Sequence, residues 1–504
     1  MTATIPATSA AVTILNSGAT ALTFIFGIVV LGSSIGFYAG ARRKMDLEQW
    51  TVAGRGFGLV FVWLLMAGEI YTAFTFLGVS GWAYSKGGPA LYILAYQPLI
   101  YVVSFYVMPQ VWEVGRKYRM QTQADFFQVR YGSKYLAAFV ALVGVTFIIP
   151  YLQLQLTGLG IIVEVASFGG IGRTPAMLIS FALVAAFVFV SGVRGVAWVS
   201  VLKDFLLLFA AVFIGVAVPY IYFGGIGPMF AAVAHAKPGH LVMPGATKNF
   251  GHTWFVSTVM LAAAGFFMWP QAFVACYTAK TGNTLRRNAV IMPLYSITMP
   301  LMLFVGTAAI LVLPGLRNGD LSMLMMVRKT FPVWFLGIIG GAGALTAMVP
   351  AAIQILTAAT LFAKNLWRPI FAPSMTDAQV GRLAKIMVVV ITAAALTSAI
   401  YSTTSLVALL LVGYAGVAQF FPGVVLGLYS KRVTRAGVAA GFSTGIALVA
   451  FLLLTKRDPF MGWNAGFIAL CLNFVVTGAV SLLTTSREAA FDESLTAEIT
   501  RPKG

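Results

Sequence analysis

Charge is scarce in this chain. Only 9% of its 504 residues are Asp, Glu, Lys or Arg, against about 25% in an ordinary soluble domain. Hydrophobic residues make up 60%, and the mean hydropathy is +0.91. A water-facing surface cannot be assembled from that composition, which excludes a soluble enzyme. Cysteine is also rare: Cys276 and Cys471 lie in apolar runs with no second Cys or His at ligand spacing, so neither a disulfide framework nor a zinc site follows. The three histidines, His235, His240 and His252, fall in or beside one loop and suit a solvated surface better than a metal. There is no HExxH, nucleophile elbow or His/Asp cluster. The first 19 residues hold no positive charge and no cleavage-like site, so an uncleaved N-terminal tail is expected.

What the chain has in quantity is long apolar runs. At about 20 residues per membrane-spanning helix, its hydrophobic residues suffice for up to roughly 15 spans. Charged and Gly/Pro-rich breaks divide it into thirteen, near 20–41, 57–84, 88–111, 135–164, 175–192, 195–223, 252–279, 288–315, 333–367, 384–401, 404–429, 436–455 and 463–485. An all-α polytopic membrane protein is therefore expected, with a short cytoplasmic tail at 486–504. The net charge of +19 has its explanation in orientation, not in nucleic acid. With the N-terminus outside, 23 of the 33 basic residues fall in cytoplasmic segments, nine outside, and one, Lys203, within a span. A miscounted helix would scramble that bias, so it supports an odd number of spans, N-terminus out and C-terminus in.

Two of the runs are interrupted: the second around Ala67-Gly68-Glu69-Ile70-Tyr71-Thr72, the seventh around Gly265-Phe266-Phe267-Met268-Trp269-Pro270-Gln271. Non-helical backbone survives in hydrocarbon only where it lines a protein cavity. Each interrupted run opens a group of five spans (about 57–223 and 252–429), and broken helices at matching positions point to an inverted-repeat transporter. Glu69 is the sharpest single residue, because a carboxylate at mid-span costs about 2.5–3.5 kcal/mol on insertion scales and faces a cavity by default. Lys203 and Asp204 lie nine and ten residues beyond Arg194. Nine residues is about 13 Å of helix, which leaves snorkelling to the interface and a buried role both open. Glu164, near the end of its span, reads as interfacial.

Four stretches then resemble a known family in order. Gln121-Thr-Gln-Ala-Asp-Phe-Phe-Gln-Val-Arg-Tyr-Gly-Ser133 resembles the cytoplasmic Asp-Phe-x-x-x-Arg-Tyr-Gly signature of the sodium:solute symporter family. Ser191 to Trp198, the Trp269-Pro270-Gln271 break, and Phe421-Pro-Gly to Arg432 follow as that family has them. Within it, Ala67 to Gly78 and Leu345 to Gln354 look most like the bacterial monocarboxylate permeases of the MctP type, which carry lactate, pyruvate and related acids. The resemblance implies a LeuT-like 5+5 inverted-repeat core working by alternating access. It also implies sodium ligands from backbone carbonyls of the second span, here Ala67 and Ile70, and from a hydroxyl pair on the ninth. That pair falls on Val349 and Pro350, which cannot ligate a hard cation. Thr346 is one turn away. Some proton-coupled relatives of this fold place a lysine where sodium would sit, and Lys203 occupies the corresponding helix, with Glu69 as partner or alternate carrier. The coupling ion is thus H+ or Na+, and no other cofactor is expected.

A small carboxylate fits the N-terminal end of the half-helix after the second break, where N–H groups and the helix dipole favour an anion. Candidate substrate contacts are Glu69, Tyr71, Thr72, Tyr96, Gln97 and Gln271, with Phe266 and Trp269 as walls. So few polar groups suit a short acid such as lactate, pyruvate or acetate better than a sugar, whose hydroxyls would each need a partner. The alternatives are sodium-coupled uptake of another small solute, an amino acid or a pantothenate-like acid, and behind these a channel or membrane sensor. The expected partners are the small-molecule substrate and the lipid bilayer; nucleic acid is excluded and no obligate protein partner is expected.

Overall fold

The computed structural model describes residues 7–41 and 51–484. The expected cytoplasmic tail at 486–504, and basic residues such as Arg42, Arg43, Lys44 and Arg487, lie outside them. Among the described residues, nine helices are long and apolar enough to cross a membrane, and three bent pairs bring the number to twelve. The first helix, Ala7–Ala41, starts within the expected tail, and its apolar part is Asn16–Tyr38.

The fifth and sixth runs, expected as two spans, form one helical stretch, Arg173–Phe223, of 51 residues. Straight, it would reach about 77 Å, more than twice a bilayer's hydrocarbon thickness of about 30 Å. It cannot be straight. A Cβ on Gly36 would lie 2.8 Å from Phe187 and 2.9 Å from Val199, yet those two residues are about 18 Å apart along an ideal helix. The stretch is therefore bent between them, where a break between the two runs is expected. At its two ends, Arg173 donates to the Ser402 carbonyl at 3.1 Å, and Tyr222 lies 3.0 Å from the Thr330 hydroxyl.

Loop contacts separate into two faces. On one, Lys86 lies over the Phe250 ring, Gly88 donates to the His240 carbonyl, Arg328 sits over Phe168 and Thr253 donates to Gly462. On the other, Arg55 donates to Met120, Phe57 pairs with Thr278 and Lys280, and Lys364 meets Asp125 at 2.7 Å. Gly18 packs on Ser167, and the Thr434 and Thr484 hydroxyls meet at 2.7 Å.

A short helix, Gln123–Tyr131, carries the Asp-Phe signature motif. Thr122 and Asp125 form its capping box, and its side chains reach three spans. Gln123 donates to Met268 O at 2.8 Å, Lys364 and Asn365 bond the Asp125 carboxylate, and Arg130 and Tyr131 donate to the carbonyls of Gly427 and Gly423.

Candidate transport site

The second span is helical over Leu59–Ile70, passes through Tyr71 in extended conformation (φ −95°, ψ 94°), and resumes over Phe74–Lys86 with a 54° bend. Gly68 permits close approach here, since a Cβ would lie 2.6 Å from Ser200 Oγ and 3.4 Å from Val349 Cγ1. The seventh span breaks between His252–Met268 and Pro270–Tyr277 with a 47° bend. Pro270 explains it: proline forces its predecessor, Trp269, into extended backbone and starts the next helix at no loss of an N–H bond. A third bend of 44°, between Leu406–Val417 and Phe420–Tyr429, was not expected from the sequence.

Both expected breaks line one cavity, which holds about 490 Å³ of space between atoms, counting its open mouth. Glu69, Ile70 and Phe74 come from the second span, and Phe266, Phe267 and Trp269 from the seventh. Tyr96, Tyr151, Leu410 and Tyr414 close it. Tyr151 and Tyr414 flank Trp269, with ring centres at 4.7 and 5.5 Å. Glu69 is 7% exposed and its Oε2 has no hydrogen-bond partner; Gln271 is buried beside it. The cavity is thus an aromatic box with one carboxyl group and no basic side chain in its wall.

Next to it the first half-helix ends on a cation. Lys203 Nζ donates to the carbonyls of Tyr71 at 2.6 Å, Gly68 at 3.3 Å and Ala67 at 3.4 Å, and pairs with Asp204 Oδ1 at 3.0 Å. Lys203 is fully buried, which removes the snorkelling alternative for this conformation. The unsatisfied carbonyls at a helix C-terminus carry the negative end of its dipole, so an ammonium is the natural occupant. Tyr295 completes the arrangement by donating to Asp204 Oδ1 at 3.1 Å while its ring lies 4.2 Å from that of Tyr71.

The expected site residues divide accordingly. Glu69, Tyr96, Phe266 and Trp269 face the cavity, and Ala67 supplies a cage carbonyl. Ile70 lines the cavity instead of the cage, where Gly68 and Tyr71 take part. The Tyr71 hydroxyl turns away to Tyr101 and Ser296, at 2.9 and 2.8 Å, and Gln97 accepts from the same pair. Thr72 Oγ1 accepts from Phe74 N at 3.1 Å, and Gln155 Oε1 from Ala73 N at 3.3 Å. In this conformation those two N–H groups are occupied by side chains, not left open for a ligand. Thr346 donates to Ala342 O on its own helix at 2.7 Å, and Val349 and Pro350 are buried apolar positions. Tyr151, Tyr414 and Leu410 were missed, because an aromatic or Leu in an apolar run looks the same whether it faces a cavity or a neighbouring helix. Gln155 carried a signal: a Gln in the middle of a span is as conspicuous as Glu69.

The sequence profile of the Sodium:solute symporter family matches residues 50–445. The chain belongs to the sodium:solute symporter family. The uncharacterized symporter YhjB of Bacillus subtilis (strain 168) is 45% identical over 94% of this chain and 99% of its own length. A monocarboxylate transport permease protein of Rhizobium johnstonii is 29% identical over 93% of this chain and 98% of its own. Among solved structures, a Na+-coupled sialic acid symporter in a substrate-bound outward-open state superposes with a TM-score of 0.76 at 18% identity, covering 93% of this chain and 98% of that one. The fold is the LeuT-like one, and this sodium:solute symporter is a multi-pass, cation-coupled membrane transporter, not an enzyme.

Proposed function

We propose that this symporter takes up short monocarboxylates such as lactate or pyruvate together with a proton, across the bacterial inner membrane with its N-terminus outside. The observation that carries the coupling is the Lys203 ammonium held among the carbonyls of Ala67, Gly68 and Tyr71 and the Asp204 carboxylate. The resemblance puts a sodium ion at the carbonyls of Ala67 and Ile70, and the ammonium takes the first of these. An ammonium and a sodium ion cannot share one cage, and Val349 and Pro350 provide none of the oxygens that a hard cation requires.

Substrate chemistry supports the same reading. Glu69 is the one carboxyl group in the cavity wall, and two carboxylates at hydrogen-bond distance in a low-dielectric site do not both stay ionised. A monocarboxylate entering beside Glu69 therefore brings a proton, shared between the two. The small aromatic box suits a compact acid, and the Rhizobium johnstonii relative is described as a monocarboxylate permease.

Sodium coupling is the second reading, and two observations favour it: the family, and the buried Glu69 Oε2 and Asp204 Oδ2, oxygens without hydrogen-bond partners. Counterflow in proteoliposomes tests substrate and ion together. Labelled lactate or pyruvate exchanging against the unlabelled acid in sodium-free buffer is the expected result. Exchange that requires sodium, or is absent for every short acid and present for an amino acid, refutes the proposal.

A further inference from the structure

We infer that Gln155, in the middle of the fourth span, is the carboxylate anchor: its side-chain amide occupies the anion position of the broken second span until a substrate carboxylate replaces it there. This rests on the monocarboxylate reading above and adds the residue that selects the anion.

The second half of the broken span, Phe74–Lys86, runs for 13 residues and starts beside the cavity, which Phe74 lines. Its N-terminal N–H groups form the positive end of a dipole inside a dry protein. Gln155 Oε1, the partial negative end of an amide, accepts from Ala73 N at 3.3 Å, a long and hence weak bond. The amide's orientation follows from this contact, because flipping it would set Nε2 against another donor. Nε2 is left buried with no acceptor at all, on a residue with 0% exposure.

A buried N–H without a partner is costly, and such a group in a native site calls for an explanation. A ligand that accepts and does not donate satisfies it. A carboxylate matches: one oxygen takes the Ala73 N–H that Gln155 holds weakly, and the other takes the Nε2 hydrogen that has no partner. Fourth span and break are also held in register. A Cβ on Gly158, on the same helix face as Gln155, would lie 2.6 Å from Ala73 Cβ. Tyr151, one turn before Gln155, lines the cavity and lies within 3.5 Å of Glu69 O. The substrate's carboxylate would thus lie between Gln155 and Glu69, and its apolar end among the aromatic rings.

The experiment measures competition for counterflow by lactate and by lactamide, its neutral counterpart, in proteoliposomes of wild type, Gln155→Glu and Gln155→Met. Gln155→Glu puts a permanent carboxylate at the half-helix. It is expected to weaken lactate at least tenfold while lactamide holds or improves. Gln155→Met removes the amide, remains uncharged, and reports if the Glu variant fails to insert; its expected result is loss of most of the wild-type preference for lactate over lactamide. If wild type recognises short acids and both inserted variants keep the wild-type preference, this inference fails and the substrate reading stands. If wild type recognises no short acid, both fail.

Discussion

Replacing Lys203 by Met separates what the ammonium does for the fold from what it does for coupling. The substitution leaves Asp204 buried at 1% exposure with Tyr295 its remaining side-chain donor, since Oδ2 already has no partner. It also strips a 2.6 Å bond from the Tyr71 carbonyl. Breaking a buried ion pair from one side typically costs about 3–5 kcal/mol, whereas replacing both charges together is close to neutral. Lys203→Met should therefore clearly lower the apparent unfolding temperature in detergent at fixed scan rate, the comparison of variants being kinetic. Lys203→Met with Asp204→Asn should recover most of the loss, because Asn keeps an acceptor for Tyr295 and carries no charge. Recovered stability without recovered function is the expected signature: the double variant exchanges labelled acid in counterflow but does not accumulate it against a gradient when only a proton gradient is imposed. A double variant that accumulates substrate on protons as wild type does would refute the coupling role. A single variant as stable as wild type would refute the buried pair.

Three further outcomes follow. Glu69→Gln removes the carboxyl group that shares the incoming proton, so counterflow should persist while proton-driven accumulation falls about tenfold or more, checked by uptake with and without an imposed pH gradient. Gly68→Ala puts a Cβ at 2.6 Å from Ser200 Oγ and should abolish uptake at normal membrane abundance; adding Ser200→Ala should restore part of it, and equal activity of the single and double variants would contradict this packing. Burial raises Asp320, in the loop between the eighth and ninth spans, from 3.8 to about 7 against the opposing Leu406 N–H and Arg173. The folded state then keeps a proton that the unfolded chain releases, so stability should decline as pH rises from about 4 to 7 and level off above. Asp320→Asn should flatten that part of the unfolding-temperature profile, and an unchanged profile would rule out Asp320 as its source.

The apolar spans and the two main breaks were legible because hydrocarbon punishes exceptions. A Glu at mid-span, or Trp-Pro within an apolar run, has few permissible explanations, and Glu69 and Trp269 do meet in one cavity. The bend at Gln419 was not legible. Its flanking Gly413 and Gly416 are as common in plain helix packing, and the freed backbone is satisfied from afar: Gln419 donates to Ala415 and Gly466, and Asn473 to the Gln419 carbonyl. Lys203 was placed on the right helix, but choosing between interface and interior required its depth and its neighbours. The cage was half legible: Ala67 is in it, but Ile70 is replaced by Gly68 and Tyr71, because the unwound stretch at Tyr71 and Thr72 shifts which carbonyls point inward. Side-chain direction defeated the rest, as Tyr71 and Gln97 bond with Tyr101 and Ser296 instead of facing the cavity.

The most direct test is lactate or pyruvate uptake into proteoliposomes with proton and sodium gradients imposed one at a time. An inward proton gradient in sodium-free buffer should drive accumulation above equilibrium in wild type and not in Lys203→Met. Failure to accumulate at acid external pH, with accumulation restored by sodium, would contradict the role given to Lys203.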